Sequence, residues 1–363
     1  MKKGGGAMIF LAIALGLLVG TIVPISDIKF LPMIIFFFVA MYLQMIIHEV
    51  GHLVGGLLTG YKFSSFRIGS LMLINIDGKL KFKRYTLAGT GGQCLMNIPD
   101  MVDGKVPYKV YGLGGVAANA ISGVICLVVY QLVDVGPVMS AFLVLTGLFG
   151  LVFAAVNGIP MENNMVANDG YNTKLIGSNP KAMRAYWIQI KINEEIVKGV
   201  SLKDMPEEWF EKPEDEDMDN VMVAALAVFR CNRLMSEMRI KQAYREMNQL
   251  IEGENAVLGI HKKLLTVDCM YCEMVTHNRV NVVENMLTDD MKKFLNTMRR
   301  FPSVIRMAYT HTLLVEGNEE KAKMVRSKFD EICRTYPHQH EIAEENRFMD
   351  YALYLFREKE KNN

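Results

Sequence analysis

The sequence predicts an α-helical membrane protein with about four transmembrane helices, a small membrane-associated β-hairpin or sheet, and an all-α cytoplasmic C-terminal domain. Two observations lead to this fold class. Apolar residues make up 51% of the 363 residues, and the long uncharged runs among them all lie in the first half of the chain. The second half instead shows charged, amphipathic helical periodicity. A chain of this length is also long for one core, so we expect more than one domain.

Four apolar segments are each close to the length needed to cross about 30 Å of hydrocarbon. They extend from Met8 to Ile25, from Phe30 to Ile47, from Val110 to Leu132 and from Val135 to Val156. The first segment follows MKK and so also resembles a cleaved signal peptide. We favour a span, because this run is long, lacks a clear small-residue cleavage site and leads directly into the next span.

The loop between the second and third spans is rich in positive charge. Its basic residues are Lys62, Arg67, Lys79, Lys81, Lys83, Arg84, Lys105 and Lys109, against Asp77, Asp100 and Asp103. By the positive-inside rule this loop is cytoplasmic. We therefore expect a multi-pass protein of the cell membrane, with both termini and the C-terminal domain in the cytoplasm.

The same loop carries a hairpin signal. From Tyr61 to Lys83, apolar and polar residues alternate around an Asp77-Gly78 dipeptide, which is typical of two strands joined by a tight turn. The glycine-rich run 89–92 and then Pro99 break this pattern before the third span. We expect a small sheet beside the membrane, with 89–92 as a turn.

Beyond Gly170 the sequence indicates a helical region that continues to Lys361. The predicted helical segments are 222–250, 256–276, 280–298 and 304–336. The run from Glu316 to Ala322 resembles the interhelix turn of a tetratricopeptide repeat. The predicted organisation is a membrane domain over 1–175, a helical and acidic linker over 176–220, and a helical-repeat-like domain over 221–363.

Charge argues against one class of partner. The formal net charge is only +1, and no part of the chain concentrates the lysines and arginines that phosphate binding requires. We expect no nucleic-acid partner. The expected partners at this stage are the lipid bilayer and a protein bound by the C-terminal helical domain.

The sequence His48-Glu49-Val50-Gly51-His52 carries the chemistry. In a helix, the i, i+4 spacing stacks two imidazoles on one face, where both can bind one Zn²⁺. Glu49 then lies beside them as the general base. Ionisable side chains are costly inside a membrane and persist there mainly when they bind or pair with something. This pattern therefore predicts a zinc site within the span.

A catalytic zinc ion usually takes three protein ligands and keeps a fourth position open. Asp169 is the best candidate for the third ligand, because it follows the fourth span on the same side of the membrane as His48 and His52. Its neighbour Gly170 permits a close backbone approach. Glu162 is the alternative third ligand.

These motifs resemble the site-2 protease family of intramembrane zinc metalloproteases. That family pairs HExxH on one transmembrane helix with NxxP and DG motifs on a later one, which correspond here to Asn157, Pro160, Asp169 and Gly170. The run from Gly114 to Asn119 is similar to the family's glycine-rich helix. The resemblance covers roughly residues 30 to 200.

Two features depart from the common family pattern. Eight residues, 161–168, separate Pro160 from Asp169, where the commonest spacing is about four. The chain also has no recognisable PDZ-like insertion and carries a helical tail instead, so substrate selection must work differently.

The resemblance implies an enzyme that hydrolyses peptide bonds of membrane-anchored or membrane-embedded substrates. His48, His52 and Asp169 would hold Zn²⁺, with Glu49 as the catalytic base. Asn119 and Asn157 are candidates for holding the substrate backbone or the oxyanion, or for hydrogen bonds between helices. The alternative is a catalytically inactive membrane scaffold with a structural metal site and a partner-binding helical tail.

Overall fold

The structure, a computed structural model, describes residues 30–76, 78–84, 91–161, 168–334, 336 and 339–362. Contacts divide the chain into two compact units. One comprises 1–68 and 91–178, and the other comprises 69–90 and 179–363.

The first unit contains three apolar helices: α1 (Phe30–Leu58), α3 (Gly114–Leu132) and α4 (Gly136–Gly158). Within the described residues, three helical stretches are long and apolar enough to cross a membrane, namely Met33–Leu58, Gly114–Leu132 and Gly136–Gly158. They correspond to three of the four predicted spans. The predicted first span, 8–25, lies outside the described residues.

The outer faces of these helices are apolar. Phe38 on α1 is 57% exposed, and Ile121 and Leu132 on α3 are 60% and 78% exposed. Large exposed apolar surfaces are unusual in water-soluble monomers and are typical of surfaces that face lipid or a partner. The exposed side chains therefore agree with membrane insertion of this unit.

Helix α1 continues well past Ile47, where the sequence placed the end of the second span. The helix has no proline after Pro32 in its first turn. It ends where Gly60 adopts a φ of +86° and the Tyr61 N–H donates to the Gly56 carbonyl at 3.0 Å. This is the glycine-closed helix end that satisfies the last carbonyl groups. His48, Glu49 and His52 consequently lie inside a regular helix.

Glycines allow the apolar helices to pack closely. A Cβ atom at Gly51 of α1 would lie 2.3 Å from the Gly114 carbonyl oxygen of α3, and one at Gly114 would lie 2.3 Å from the Gly51 oxygen. Between α3 and α4, a Cβ atom at Gly123 would lie 2.8 Å from the Gly147 oxygen. Small residues at such crossings are how membrane helices bring their backbones together.

The predicted small antiparallel sheet is present. It consists of β1 (Lys62–Ile68), β2 (Leu71–Ile76), β3 (Lys79–Arg84) and β4 (Gly92–Asn97). Strands β2 and β3 pair antiparallel with Ile76 opposite Lys79, so the predicted hairpin is present.

One detail of the sheet was predicted wrongly. Gly92, expected in a turn, begins β4, which pairs antiparallel with β1 so that Gly92 lies opposite Ile68. The partner strand supplies the hydrogen bonds that override the local turn preference of a glycine-rich segment.

Two short helices complete this unit, α2 (Tyr108–Gly112) before α3 and α5 (Asp169–Ile176) after α4. Gly170 of α5 packs against the end of α4, since a Cβ atom there would lie 2.1 Å from the Gly158 oxygen. The close approach anticipated for Gly170 is therefore present, and it brings Asp169 to the end of the last span.

The second unit is helical apart from β2 and β3. Its helices are α6 (Pro180–Val197), α7 (Val221–Ser236), α8 (Ile240–Glu252), α9 (Gly259–Thr276), α10 (Val280–Met286), α11 (Asp289–Thr297), α12 (Pro302–Leu314), α13 (Glu319–Cys333) and α14 (Gln339–Asn362). Helices α7 to α14 share one apolar core that includes Cys231, Met270, Leu313 and Met349. The predicted helical C-terminal region is therefore confirmed.

Helix boundaries in this unit differ from the prediction at two places. The segment 222–250 is two helices, because Met238 adopts a φ of +58°. The segment 280–298 is also two, since the Thr288 side chain caps α11 by accepting from the Met291 N–H. The turn predicted near Glu316 is present, with Gly317 at a φ of +63°. The tetratricopeptide-like character stays a prediction.

Candidate metal centre

His48 and His52 lie one turn apart on the same face of α1. Their Nε2 atoms are 3.1 Å apart, and the two rings meet edge to face with centroids 4.7 Å apart. This is the arrangement that the i, i+4 spacing predicted from helix geometry alone.

Asp169 joins the two histidines from a distant part of the chain. Its Oδ2 atom lies 3.0 Å from His48 Nε2 and 3.4 Å from His52 Nε2. Asp169 is the first residue of α5, and the preceding Asn168 caps that helix by accepting from the Tyr171 N–H at 2.9 Å.

The Asn168 side chain also fastens the start of α5 to the end of α4. Its Nδ2 group donates to the carbonyl oxygens of Val156 at 2.7 Å and Ile159 at 2.6 Å. The position of Asp169 is thus set by hydrogen bonds made by its neighbour, as well as by the close packing of Gly170.

The donor set fits a zinc ion. For zinc–ligand bonds of about 2.0–2.1 Å, tetrahedral geometry separates the ligand atoms by about 3.3–3.4 Å, close to the distances between these three atoms. Among the described residues, Asp169 Oδ2 is buried and has no hydrogen-bond partner. A buried carboxylate oxygen that lacks such a partner is costly, and a cation would compensate it.

One further acidic group among the described residues has ligand atoms close together, formed by Glu214, Glu216 and Asp217. It differs in character from the histidine site, because Glu214 and Asp217 each bind Lys181 Nζ at 2.7 Å. Lys181 already supplies the positive charge there, so this acidic group gives no support for a metal site.

The tautomers of both histidines suit metal binding. His52 Nδ1 lies 2.8 Å from the carbonyl oxygen of Tyr111, and His48 Nδ1 lies 2.6 Å from Asn119 Oδ1. Both partner atoms are acceptors, so each Nδ1 carries the proton and each Nε2 presents its lone pair to the site. Hydrogen bonding of the second ring nitrogen in this way is the usual support of histidine ligands.

Gly115 leaves the space in which the two imidazoles meet. A Cβ atom at this position would lie 2.7 Å from His48 Cε1, His48 Nδ1 and His52 Nε2. No side chain fits there without displacing the rings. The glycine-rich start of α3 therefore has a specific function, which is to let α3 pass directly behind the histidines.

Glu49 is 8% exposed and packs against the first residue of β4. A Cβ atom at Gly92 would lie 2.6 Å from Glu49 Oε1. The Arg67 guanidinium approaches the Gly92 carbonyl oxygen at 3.5 Å. Glu49 therefore lies between the histidine site and the small sheet.

Two titratable neighbours outside the spans have shifted pKa values. Burial acts to raise the pKa of Asp169, but hydrogen bonds and positive charge from the two imidazoles in their protonated forms outweigh it and lower the pKa to about 2. Burial, followed by the negative charge of Glu49, raises the pKa of the Cys94 thiol to about 12. Asp169 is therefore an anion at neutral pH, whereas the Cys94 thiol is protonated.

The other predicted residues are placed as follows. Asn119 is fully buried and contacts His48 as described. Asn157 Nδ2 donates to the Phe153 carbonyl oxygen in its own helix at 3.0 Å. Roles for both as substrate or oxyanion contacts stay predictions. Glu162 lies outside the described residues.

Sequence reasoning missed Gln44, which is fully buried and hydrogen-bonds Asn119. A signal for it exists, since Gln44 is the one strongly polar side chain in the run 30–47 and lies one turn before His48. The contact between His52 and the Tyr111 carbonyl could not be predicted from the sequence, because every residue type supplies a backbone carbonyl group.

Comparison of the whole chain with protein-family models, with curated proteins and with solved structures found no match in any of the three.

The choice of third ligand can be tested directly. We expect Asp169→Asn to lose most zinc binding, because the amide presents a neutral oxygen in place of the anionic donor. Zinc content of the purified protein measures this, with Glu162→Gln as the control expected to retain zinc. Zinc loss in Glu162→Gln together with retention in Asp169→Asn would reverse the assignment.

Proposed function

We propose that this chain is an intramembrane zinc metalloendopeptidase, similar to the site-2 proteases, that cuts membrane-anchored or membrane-embedded peptides and proteins. One observation carries the proposal. Two imidazole nitrogens from a helix long and apolar enough to span a membrane converge with a buried carboxylate oxygen of Asp169, and Glu49 follows the first of these histidines in that helix. A purely structural metal site has no use for such a base.

In this proposal His48, His52 and Asp169 hold the zinc ion, which when bound would acidify a water molecule and polarise the scissile carbonyl. Glu49 takes the proton from the attacking water and returns it to the leaving amine. Asn119 and Tyr111 hold the two imidazoles in the required tautomers.

Strand β4 supports a route for the substrate. Among the described strands, β4 pairs along one side with β1, and its first residue, Gly92, contacts Glu49. An extended substrate could pair with the other side of β4, which would satisfy the backbone of an unwound transmembrane segment. Its scissile bond would then pass close to Glu49.

The proposed location is the cell membrane, with both termini and the second unit in the cytoplasm. The supporting facts are the three apolar helices and the basic loop that follows the second predicted span.

The alternative function, a non-catalytic scaffold, is supported by a groove in the second unit. The groove has a volume of about 670 Å³ and lies along α11, α12 and α13, with Val304, Ile305 and Val325 among its apolar lining. Arg299, Arg300 and Lys328 line it against a single acidic residue, Glu331. An amphipathic partner segment with acidic residues would fit this surface.

Metal removal separates the two functions. The full chain is reconstituted in lipid vesicles with single-span substrates and assayed as purified, after chelation and after restoration of zinc. We expect cleavage to disappear with chelation and to return with zinc, because the attacking water is activated only by the metal. A protein that binds zinc and cuts none of the substrates would favour the scaffold, and cleavage that persists without metal would contradict the protease mechanism.

A further inference from the structure

Gln44 lies in the middle of the first described span and is fully buried. Burial of a carboxamide away from water is costly unless its polar atoms are all hydrogen-bonded. Here they are. Gln44 Nε2 donates to the Thr146 carbonyl oxygen of α4 at 3.0 Å. Its Oε1 accepts from Asn119 Nδ2 of α3 at 2.8 Å and from the Ser122 hydroxyl at 3.2 Å.

These hydrogen bonds have a fixed direction. The Thr146 carbonyl oxygen can only accept, so it must face the Gln44 amide nitrogen, and Gln44 Oε1 must then face Asn119. The backbone carbonyl oxygen of Gln44 also accepts from Asn119 Nδ2, at 2.8 Å. Both amide protons of Asn119 are therefore directed to Gln44.

The consequence reaches the metal centre. With its nitrogen committed to Gln44, Asn119 can present only its oxygen to His48 Nδ1, which lies 2.6 Å away. The imidazole is neutral in either tautomer, but this contact keeps the proton on Nδ1. If the Asn119 amide were reversed, it would donate to Nδ1 and leave the proton on Nε2, the nitrogen that faces Asp169.

Packing of α4 agrees with this arrangement. A Cβ atom at Gly150 would lie 2.9 Å from Gln44 Nε2 and 2.7 Å from the Asn119 carbonyl oxygen. Gly150 thus provides the space that the Gln44 side chain and the Asn119 backbone carbonyl occupy between the three helices.

We propose that Gln44 is a positioning residue for the metal centre: anchored on the Thr146 carbonyl of α4, it orients the Asn119 amide and so selects the His48 tautomer that can bind zinc. This inference rests on the proposed zinc site. Within the described residues, the Gln44 side chain makes its hydrogen bonds to Thr146, Asn119 and Ser122. Its effect on the metal centre is therefore indirect, through Asn119.

Two substitutions test the proposal in the full-length protein. Gln44→Met keeps the length of the side chain but removes the side-chain acceptor for Asn119, leaving only the backbone carbonyl of residue 44. We expect zinc affinity to fall about 10- to 100-fold. Gln44→Glu should restore most of the affinity, because a neutral carboxyl group in this apolar setting can still donate to the Thr146 carbonyl and accept from Asn119. Affinity is measured by competition with a chelator, using zinc alone.

A second readout separates positioning from a general loss of structure. In zinc-free protein, ¹⁵N chemical shifts of the His48 ring report which nitrogen carries the proton, with His48→Asn used to assign the signal. We expect Nδ1 protonation in the parent and in Gln44→Glu, and a mixture of tautomers in Gln44→Met.

The outcomes are distinct. Parent-like zinc affinity and a parent-like His48 tautomer in Gln44→Met would overturn the role of Gln44. Loss of affinity in Gln44→Met with an unchanged tautomer would also overturn it, since Gln44 would then act through packing. If the parent binds no zinc at all, the proposed function fails, while the tautomer measurement still decides the role of Gln44.

Discussion

Glu49→Gln is expected to abolish peptide cleavage while leaving zinc bound. The three proposed zinc ligands are His48, His52 and Asp169, and the amide of the variant fills the same space beside Gly92 as the carboxylate. What the variant loses is the ability to take up a proton. General-base catalysis contributes about 10²–10⁴-fold to a rate, so we expect a loss of this order. The measurement is cleavage of single-span substrates in reconstituted vesicles, with zinc content determined on the same sample.

The control for Glu49→Gln is Glu208→Gln, which makes the same chemical change at an exposed position of the second unit. This control should cut substrates at the parent rate. If Glu49→Gln retains zinc and cuts as fast as the parent, Glu49 is not the base. If Glu49→Gln loses zinc, Glu49 contributes to the metal site, and its assignment as a base alone is wrong.

Gly115→Ala is the second substitution with a large expected effect, although position 115 carries no functional group. The added methyl carbon would lie 2.7 Å from atoms of both imidazoles, well inside the roughly 3.5–4.0 Å of a normal carbon contact. The rings must turn away, so their Nε2 atoms no longer converge on Asp169. We expect zinc affinity to fall on the order of 100-fold, with loss of cleavage.

Gly147→Ala is a matched control, because it adds the same methyl group on a neighbouring span. Its Cβ atom would lie 2.7 Å from Leu127 Cγ, a comparable overlap with a side chain that contacts no ligand. We expect this variant to lose stability and keep its zinc affinity. Equal loss of zinc in both variants would mean that helix packing in general, and not the space behind the histidines, controls the site.

Local sequence patterns predicted the first half of the site and the helices that carry it. His48, Glu49 and His52 are separated by less than two helical turns, so helix geometry alone fixes their relation. The three apolar helices were predicted from length and composition for the same reason, since the cost of exposing backbone polar groups to lipid forces long apolar segments to be helical. The prediction of Asp169 as the third ligand required one further assumption, that the second and fourth predicted spans end on the same side of the membrane.

Long-range contacts account for what the sequence prediction missed. Gly92 was expected in a turn, but pairing with β1 makes it the start of a strand beside Glu49. Gln44 was not identified from the sequence, because its role depends on a hydrogen bond from Asn119, which is 75 residues away in the chain. The break within 222–250 depends on one residue, Met238, with a left-handed backbone conformation, which its side chain does not favour.

The sequence by itself thus determined which reactive groups are present: two imidazoles on one helix face with a carboxylate beside them, an acidic residue after a later span, and an apolar setting in which ionisable groups are costly. The tertiary structure decided which atoms meet. It brought Asp169 Oδ2 to the two Nε2 atoms, placed Gly115 behind them, and directed hydrogen bonds from Thr146 through Gln44 and Asn119 to His48. The physical reason is one of range, because helix periodicity is set by neighbouring residues, whereas ligand geometry and histidine tautomers are set by groups that only folding brings together.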